Sequence, residues 1–444
     1  MRIAFIGGGT MAEAIISAVL SDKVAGPDEI VAGEVLAERR DALHERHKIA
    51  VIADNREAVS GAAIVALAVK PHQLAAVAAD LKGRLSPDQT VLSIMAGVTV
   101  ATLQASLDHD AVVRAMPNTP AQVGEGMCAW TAAAEVKPEA REQARRVLAA
   151  TGREVYFEDE KCIDMATAVS GSGPGFLFLL MEAFIDGAVH LGLPRETAGE
   201  MVIQTFLGSA RLAQQTGRPV AELRSLVTTP GGTTAEGLLA LESAGVRAAV
   251  AADLKGRLSP DQTVLSIMAG VTVATLQASL DHAAVVRAMP NTPAQVGEGM
   301  CAWTATAEVK PKARDQVRQV LAATGKEVYF EDEKCIDMAT AVSGSGPGFL
   351  FLLMEAFIDG AVHLGLPRET AGEMVIQTFL GSARLAQETG RPVAELRSLV
   401  TTPGGTTAEG LLALESAGVR AAIAEALIAA YEKAQSLRGG KPRQ

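Results

Sequence analysis

A glycine-rich turn near the amino terminus carries the clearest chemical signal in the sequence. The stretch GGGTMA at residues 7–12 fits G-x-G-x-x-[GA] between a short apolar strand and a helix. Glycine permits the tight turn and a close approach of the backbone to a pyrophosphate, and a small last residue lets the helix pack on the strand. The free N–H groups at the start of the helix favour the negative charge. The predicted dinucleotide-binding residues of this turn are Gly7, Gly8, Gly9, Thr10, Met11 and Ala12.

An acidic residue follows the second predicted strand. Glu34 lies 25 residues after Gly9, where a carboxylate accepts hydrogen bonds from the adenosine ribose and repels a 2′-phosphate. Glu34 therefore favours NADH. Arg39 and Arg40 follow closely and are able to clamp a 2′-phosphate instead, so the sequence leaves NADH and NADPH both open.

Five further stretches rich in small residues and proline follow strands or open helices. They are AVKP at 68–71, MAGV at 95–98, MPNTP at 116–120, SGSGP at 170–174 and TPGGTT at 229–234. Small residues let a ligand reach the backbone. The PGGTT turn precedes a predicted helix, so its amides, at Gly231 and Gly232 among others, are available to a carboxylate, and its threonine hydroxyl groups to a nitrogen.

The elements that carry these motifs are of two kinds. Apolar strands are predicted at 2–7, 29–32, 62–69, 90–96 and 112–115, with helices at 10–20, 37–47 and 73–85 between them. This alternation predicts an α/β fold with a doubly wound parallel sheet of the Rossmann type. Beyond about residue 160 the spacing of apolar residues is helical at 176–191, 195–215, 220–227 and 234–243, which predicts an all-α domain.

Most of the chain occurs twice. Residues 75–247 recur at 248–420, displaced by 173 positions and with eight differences. The second copy begins inside a helix, so it repeats only the latter part of the sheet and has no counterpart of the glycine-rich turn. The prediction is a dinucleotide-binding Rossmann domain at 1–160, a helical substrate and dimerisation domain at 161–247, a partial Rossmann repeat at 248–333 and a second helical domain at 334–444. The edge of the partial sheet must be paired, covered or poorly ordered.

Composition and charge limit the class of partner. The net charge of −11 and the absence of a basic run outside 438–443 argue against nucleic acid and anionic membrane. The most apolar segment, 176–193, is interrupted by Glu182, Asp186 and His190, so no membrane span is predicted. The four cysteines show no CxxC spacing. No metal site is predicted, and a reducing cytoplasm is the expected location.

The motifs, taken together and in this order, resemble the pyrroline-5-carboxylate reductase family. The resemblance covers residues 1–247 and about 420–438, and MPNTP, SGSGP and PGGTT carry its specificity. It implies hydride transfer from NADPH or NADH to the C=N bond of 1-pyrroline-5-carboxylate, which gives L-proline. A protonated cyclic imine is already a good electrophile, so the site has mainly to hold a carboxylate and orient the ring.

The resemblance also implies roles for matched positions. Besides the glycine-rich turn, the implied cofactor-lining residues are Asn55, Ala68, Val69, Lys70, Pro71, Met95, Ala96 and Gly97. Thr233 and Thr234 are implied to contact substrate, with the Thr234 hydroxyl directed at the ring nitrogen, and Glu160 matches a substrate-side position. Glu34 departs from the family, which often has a small polar residue there, and this puts a preference for NADPH in doubt.

Other readings of the chain stay open. A β-hydroxyacid dehydrogenase would need a lysine in the helix at 176–192, and FLFLLMEAFIDGAVHLG has none, so the base for alcohol oxidation is missing. A broader imine reductase and a duplicated, non-catalytic cofactor-binding relic are the remaining alternatives. Glu182 and Asp186 are expected to have a hydrogen-bonded structural role rather than a catalytic one.

The duplication has two alternative interpretations. Members of the resembled family pair through the helical domain, so two helical domains in one chain could form an internal pseudo-dimer. Thr406 and Thr407 of the second copy, or Thr233 and Thr234 of the first, would then face the single nucleotide site. Alternatively, chains pair as a homo-oligomer and the extra copy is a passenger.

Overall fold

The computed structural model describes residues 1–227, 258–402 and 404–438. Contacts group the chain into two compact units. The first unit contains residues 1–177 and 357–411, and the second contains 178–356 and 412–444. Each unit thus combines segments of both copies. The units group the chain by contacts, whereas the four predicted segments divide it by sequence order and stay a prediction.

The strands within the described residues form one sheet in each unit. The strands of the first unit are Ile3–Ile6 (β1), Ile30–Gly33 (β2), Ala50–Ile52 (β3), Ile64–Leu67 (β4), Thr90–Ser93 (β5), Val112–Met116 (β6), Gly126–Ala132 (β7) and Gly152–Tyr156 (β8). Those of the second unit are Val264–Ser266 (β9), Val285–Met289 (β10), Gly299–Ala305 (β11) and Gly325–Tyr329 (β12).

Helices make up most of the remaining described structure. Those of the first copy are Thr10–Ser21 (α1), Ala37–His47 (α2), Asn55–Ala58 (α3), Leu74–Leu81 (α4), Val100–Leu107 (α5), Pro138–Ala149 (α6), Lys161–Ala166 (α7), Gly173–His190 (α8), Arg195–Thr216 (α9) and Val220–Val227 (α10). The later helices are Val273–Leu280 (α11), Pro311–Ala322 (α12), Lys334–Ala339 (α13), Gly346–Leu364 (α14), Arg368–Thr389 (α15), Val393–Val400 (α16), Thr406–Ser416 (α17) and Val419–Arg438 (α18).

The first sheet confirms the predicted Rossmann fold. Its order is β3-β2-β1-β4-β5-β6-β7-β8, and its first six strands, in the order 3-2-1-4-5-6, are parallel. Strands β7 and β8 were not predicted, and they run in the opposite direction because β7 pairs with β6 antiparallel. Strand β3 was also not predicted.

Helices cover both faces of this sheet. Ile3 and Phe5 of β1 belong to a buried cluster with α1 and α6, whereas Ala4 and Ile6 belong to a second cluster with α4 and α5. Successive side chains of a strand point to opposite faces, so the apolar run IAFI serves both clusters. The sequence of β1 therefore predicts a strand buried on both faces, as in a doubly wound sheet.

Helix α15 of the second copy completes the first unit. It packs against β7 and the 3₁₀ turn Thr119–Val123. A Cβ at Gly381 would lie 2.1 Å from the Glu125 carbonyl oxygen, so only glycine lets the helix approach this closely. Gln377 donates to the same carbonyl at 3.1 Å. The sheet of the first copy is therefore covered by a helix of the second.

The second unit repeats the latter half of this arrangement. Its described strands have the order β12-β11-β10-β9 and the same relative directions as β8 to β5. Helix α9 of the first copy packs against β11, and a Cβ at Gly208 would lie 2.3 Å from the Glu298 carbonyl oxygen. In the described structure β9 pairs only with β10, and Ile267 next to it is 61% exposed. The predicted partial sheet thus has its edge at β9.

Within the described residues, two helical segments meet the length and composition of a membrane span. They are Lys161–His190 and Lys334–Leu364, and 78% and 50% of their most apolar stretches are buried within the protein. Buried core helices of globular proteins have the same length and composition, so two such segments are weak evidence for a span.

The close approach at Gly381 leads to a stability prediction. Gly381→Ala should lower the free energy of unfolding by about 2 kcal/mol, because the new methyl group pushes α15 away from the sheet. Gly372→Ala is the matched control in the same helix, since no described atom lies within 4 Å of its Cβ position. It should raise stability by about 0.5–1 kcal/mol through helix propensity. Urea unfolding followed by circular dichroism measures both, and equal effects would contradict the contact.

Candidate functional site

The glycine-rich turn lies where the order of the sheet reverses, between β1 and β4. The Gly7 N–H donates to the Gly33 carbonyl at 2.8 Å, and the Ala68 N–H donates to the Ile6 carbonyl at 2.9 Å. Gly7 has a φ of +97°, and a Cβ there would lie 2.8 Å from a methyl group of Val69. Both the dihedral angle and the contact require glycine. The turn thus lies at the switch point where doubly wound sheets bind ligands.

The start of α1 is open to a ligand. Gly9 is its N-cap, and no side chain of the described structure accepts a hydrogen bond there. Among described atoms, none lies within 4 Å of a Cβ built on Gly9. Thr10 is exposed, whereas Ala12 is fully buried against the sheet. The amides of the first turn and the helix dipole therefore fit a dinucleotide pyrophosphate.

Glu34 is held beside this turn at the end of β2. Its carboxylate accepts the Gly8 N–H at 2.8 Å on one oxygen and the Leu36 N–H at 2.9 Å on the other. A Cβ at Gly8 would lie 2.6 Å from Leu43 and 3.1 Å from the Glu34 carboxylate. Both carboxylate oxygens of Glu34 therefore have backbone partners at the end of β2, and its contact with an adenosine ribose stays a prediction.

Arg39 and Arg40 are engaged by the same domain. Arg39 donates to the Gly8 carbonyl and to Glu13, both at 2.5 Å. Arg40 donates to two carbonyl groups at the end of β2, at 3.0 and 2.8 Å. Partial burial raises the pKa of Glu13, but hydrogen bonds from Arg39 and His47 outweigh it and the pKa falls below its usual value. Glu13 is therefore ionised at neutral pH and holds α2 to α1.

The other predicted cofactor residues lie along the same edge of the sheet. Asn55 starts α3, and its Oδ1 would lie 2.6 Å from a Cβ at Gly33. Residues 68–71 follow β4 and residues 95–97 follow β5. Met95 is buried, whereas the next two residues are exposed. Parallel strands have their carboxyl ends at one edge, so the structure brings these residues together there. Their contact with a cofactor stays a prediction.

Asn118 links the end of β6 to the SGSGP stretch. Its Oδ1 accepts the Met127 N–H at 2.8 Å, and its Nδ2 donates to the Ser170 carbonyl at 3.0 Å. The start of that stretch overlaps a π-helical turn, Thr167–Gly171, which the Ser172 N–H closes at 2.8 Å. Such turns inside helices are frequent at functional sites. Asn118 thus fixes the start of α8 at the edge of the sheet that carries the glycine turn.

A buried arginine anchors the helix before that turn. Arg114 of β6 is 1% exposed and donates to Glu160 at 2.9 Å and to Asp164 at 2.6 Å. Glu160 also accepts the Val100 N–H at 2.8 Å. A buried arginine requires such partners, so these contacts hold α7 against β6. The substrate contact predicted for Glu160 stays a prediction.

The PGGTT turn that was predicted to contact substrate is described only in the second copy. Gly231, Gly232, Thr233 and Thr234 lie outside the described residues. Their counterparts are residues 404–407, of which Thr406 begins α17. The Thr406 and Ser172 hydroxyl groups are 2.7 Å apart. Thr407 is 6% exposed, and its methyl carbon would lie 2.5 Å from a Cβ at Gly175. The predicted Thr407 therefore lies beside the SGSGP stretch in the first unit.

Several residues at this edge were not predicted individually. Arg114 is the only charge in the apolar strand VVRAM, and a lone buried arginine in such a strand indicates carboxylate partners. Asn118 and Ser172 belong to motifs that the sequence singled out, but their partners lie 52 and 234 residues away in sequence. The motifs indicated the region, and only the fold identifies the contacts.

The acidic residues of helix α8 and the cysteines, which the sequence analysis also considered, have the ion pairs and the burial of structural residues. In the second unit Arg420 contacts Glu182 at 3.2 Å, and Arg195 contacts Asp186 at 2.7 Å. Burial raises the pKa of the Cys301 thiol to about 12, which keeps it protonated and unreactive. In the described parts of the chain, no group of three or more His, Cys, Asp or Glu residues is arranged to hold a metal.

The open glycine turn on a Rossmann sheet, followed by helices, defines a nicotinamide-dinucleotide-dependent oxidoreductase. Residues 2–97 match the family model described as NADP oxidoreductase, coenzyme F420-dependent. Residues 160–257 and 333–437 both match the model described as pyrroline-5-carboxylate reductase dimerisation. The starts of these two matches have the same spacing as the sequence repeat.

The sequence identity to individual relatives, and the share of each relative that is covered, show the family of the chain. The chain is 41% identical to a pyrroline-5-carboxylate reductase of Synechocystis over 56% of this chain and 93% of the relative. The corresponding values for the Pseudomonas aeruginosa enzyme are 42%, 56% and 91%. A solved pyrroline-5-carboxylate reductase of Coxiella burnetii superposes with a TM-score of 0.50 at 34% identity, over 63% of this chain and 96% of that one. The chain belongs to the pyrroline-5-carboxylate reductase family.

The open space at Gly9 leads to a binding prediction. Gly9→Ala should raise the Kd for NADH or NADPH at least tenfold, because the methyl group enters the space that the pyrophosphate needs. The melting temperature should not change, since the φ of −68° at Gly9 suits alanine. Gly26→Ala is the matched control at a second glycine with negative φ. Fluorescence titration measures Kd, and an unchanged value in Gly9→Ala would contradict this site.

Proposed function

We propose that the chain reduces 1-pyrroline-5-carboxylate to L-proline with NADH or NADPH. Family membership supports the reaction, and the observation that carries the proposal is the assembly of its motifs in one unit. The first unit contains all of these motifs. They are the glycine turn, residues 68–71, residues 95–97, the SGSGP stretch and the turn at 404–407. Cofactor-side and substrate-side motifs are thus available to the same centre.

The chemistry requires little from the protein beyond orientation. A bound reduced nicotinamide supplies a hydride. The hydride forms the new C–H bond at the imine carbon while the C=N π electrons pass to nitrogen, which in the protonated imine already carries its proton. The products are the secondary amine and the oxidised cofactor. The chain has therefore to bind the carboxylate of the substrate and to hold the ring with one face towards the nicotinamide, so that other orientations of the ring are excluded.

Residues of the second-copy turn suit these tasks. The first amides of α17 are available to a carboxylate at the positive end of the helix. The methyl group of Thr407 faces Gly175, which leaves its hydroxyl group on another branch of Cβ for the ring nitrogen. Thr407 is in this proposal the catalytic residue, because it holds the nitrogen that receives the electron pair.

The location and assembly are also part of the proposal. The negative net charge and the free cysteines support a cytoplasmic protein that has no nucleic acid or membrane partner. The two matches to the dimerisation model support association through the helical segments, within one chain or between chains.

The reaction is tested with purified full-length chain. We expect loss of the reduced-nicotinamide absorbance when 1-pyrroline-5-carboxylate is added, and formation of proline. Equal turnover of 1-pyrroline, which lacks the carboxylate, would favour a broader imine reductase. Dinucleotide binding without turnover of either imine would favour the non-catalytic relic, and the proposal would then be wrong.

Glu34 leads to a prediction about cofactor choice. We propose that the enzyme prefers NADH, because a carboxylate at the end of the second strand, such as that of Glu34, would repel a 2′-phosphate. Glu34→Gln keeps the shape but removes the charge, so the ratio of kcat/KM for NADPH to that for NADH should rise about tenfold. Glu38→Gln, which removes an exposed charge nearby, is the control. An unchanged ratio in Glu34→Gln would show that this carboxylate does not select the cofactor.

A further inference from the structure

We propose that the active centre of this chain is completed by the second copy, with Thr406 and Thr407 supplying the substrate-side turn and Ser172 of the first copy positioning it. This inference rests on the proposed reaction and assigns its parts. It makes the second copy a necessary part of the enzyme rather than a passenger.

The hydroxyl pair is the most direct observation. Ser172 is 1% exposed and belongs to the first copy, and its Oγ lies 2.7 Å from Oγ1 of Thr406. Thr406 itself is exposed, so the pair joins a buried group to the surface of the turn. A buried hydroxyl group that lost this partner would remain unsatisfied. Ser172 therefore favours one position for the start of α17.

Close contacts at glycine residues lie on both sides of this pair of hydroxyl groups. A Cβ at Gly175 would lie 2.5 Å from the Thr407 methyl carbon, and a Cβ at Gly410 would lie 2.4 Å from the Phe176 ring. A third, at Gly173, would lie 2.6 Å from a methyl carbon of Thr378 in α15. The start of α8 thus meets second-copy helices at three contacts, and in each of them a side chain in place of the glycine would collide.

The start of α8 is also hydrogen-bonded to the edge of the sheet that carries the glycine turn. Asn118 bonds the Ser170 carbonyl from the end of β6, two residues before Ser172. The position of Thr406 is therefore connected through two hydrogen-bonded side chains to the strands that carry the glycine turn. Positioning of this kind acts on substrate orientation, to which hydride transfer is sensitive.

The first-copy turn follows helices that belong to the other unit. Residues 178–227, which precede it, pack with the partial sheet of the second copy. That copy begins at Ala248 and has no counterpart of residues 7–12. The second copy therefore lacks the glycine-rich cofactor motif, and we expect one dinucleotide to bind per chain.

The repeat supplies matched variants for the test. Thr407→Ala and Thr234→Ala change equivalent residues, and kcat/KM for 1-pyrroline-5-carboxylate should fall about a hundredfold in the first. We expect the loss in Thr234→Ala to be at least ten times smaller. An equal loss in both variants, or a larger one in Thr234→Ala, would overturn the assignment.

Ser172→Ala and Ser345→Ala test the positioning role separately. Both serines close the same π-helical turn at 2.8 Å, so a merely structural role predicts equal effects. We expect Ser172→Ala to raise the KM for the imino acid about tenfold, with the Kd for NADH unchanged and with no such rise in Ser345→Ala. Equal KM values in the two variants would refute the positioning role.

The same measurements separate the inference from the function on which it rests. If the wild-type chain does not reduce 1-pyrroline-5-carboxylate, the proposed function fails and the inference fails with it. If the wild-type chain is active but the loss follows Thr234, the function holds and only the assignment of copies is wrong. Calorimetric titration adds an independent readout, since two dinucleotides bound per chain would contradict a single centre.

Discussion

Close packing between helices of one copy and strands of the other is the contact on which both units depend. Gly381 meets the Glu125 carbonyl in the first unit, and its counterpart Gly208 meets the Glu298 carbonyl in the second. A side chain at either glycine would move a 22-residue helix. In the first unit that helix precedes α16 and α17, so the position of Thr406 depends on the same contact. Packing at one glycine is thus linked to the geometry of the site.

Identical sequences acquire different surroundings in the two units. Arg114 and Arg287 make the same pair of ion contacts, but Asp164 is 66% exposed and Asp337 only 2%. In the second unit α18 packs against α13, which carries Asp337, and against the following π-helical turn. Residues 421–438, most of α18, lie outside the repeat. The exposure of Asp164 and Asp337 therefore differs although the two segments that carry them have the same sequence.

Much of the fold was predictable because it follows from neighbouring residues. Helix α2 was predicted at 37–47 and has these bounds, since its pattern and its flanking residues are local. The apolar strands β1, β4 and β5 were found for the same reason. Strands β3 and β8 were not, because AVI is short and GREVY has two adjacent charges. Both form at an edge of the sheet, where the neighbouring strand supplies the hydrogen bonds.

For the site, the sequence by itself determined which kinds of ligand the motifs suit. The tertiary structure decided which of these motifs lie close together. The glycine turn, Glu34 and the small-residue stretches indicate a dinucleotide and a carboxylate ligand, because these roles depend on residue type and local backbone. The SGSGP and PGGTT stretches are identical in the two copies, so no local signal separates Thr234 from Thr407. In the described structure, long-range packing brings Thr406 within hydrogen-bond distance of Ser172, 234 positions earlier in the chain. Such a pairing is a property of helix packing, which the pattern of either copy alone does not specify.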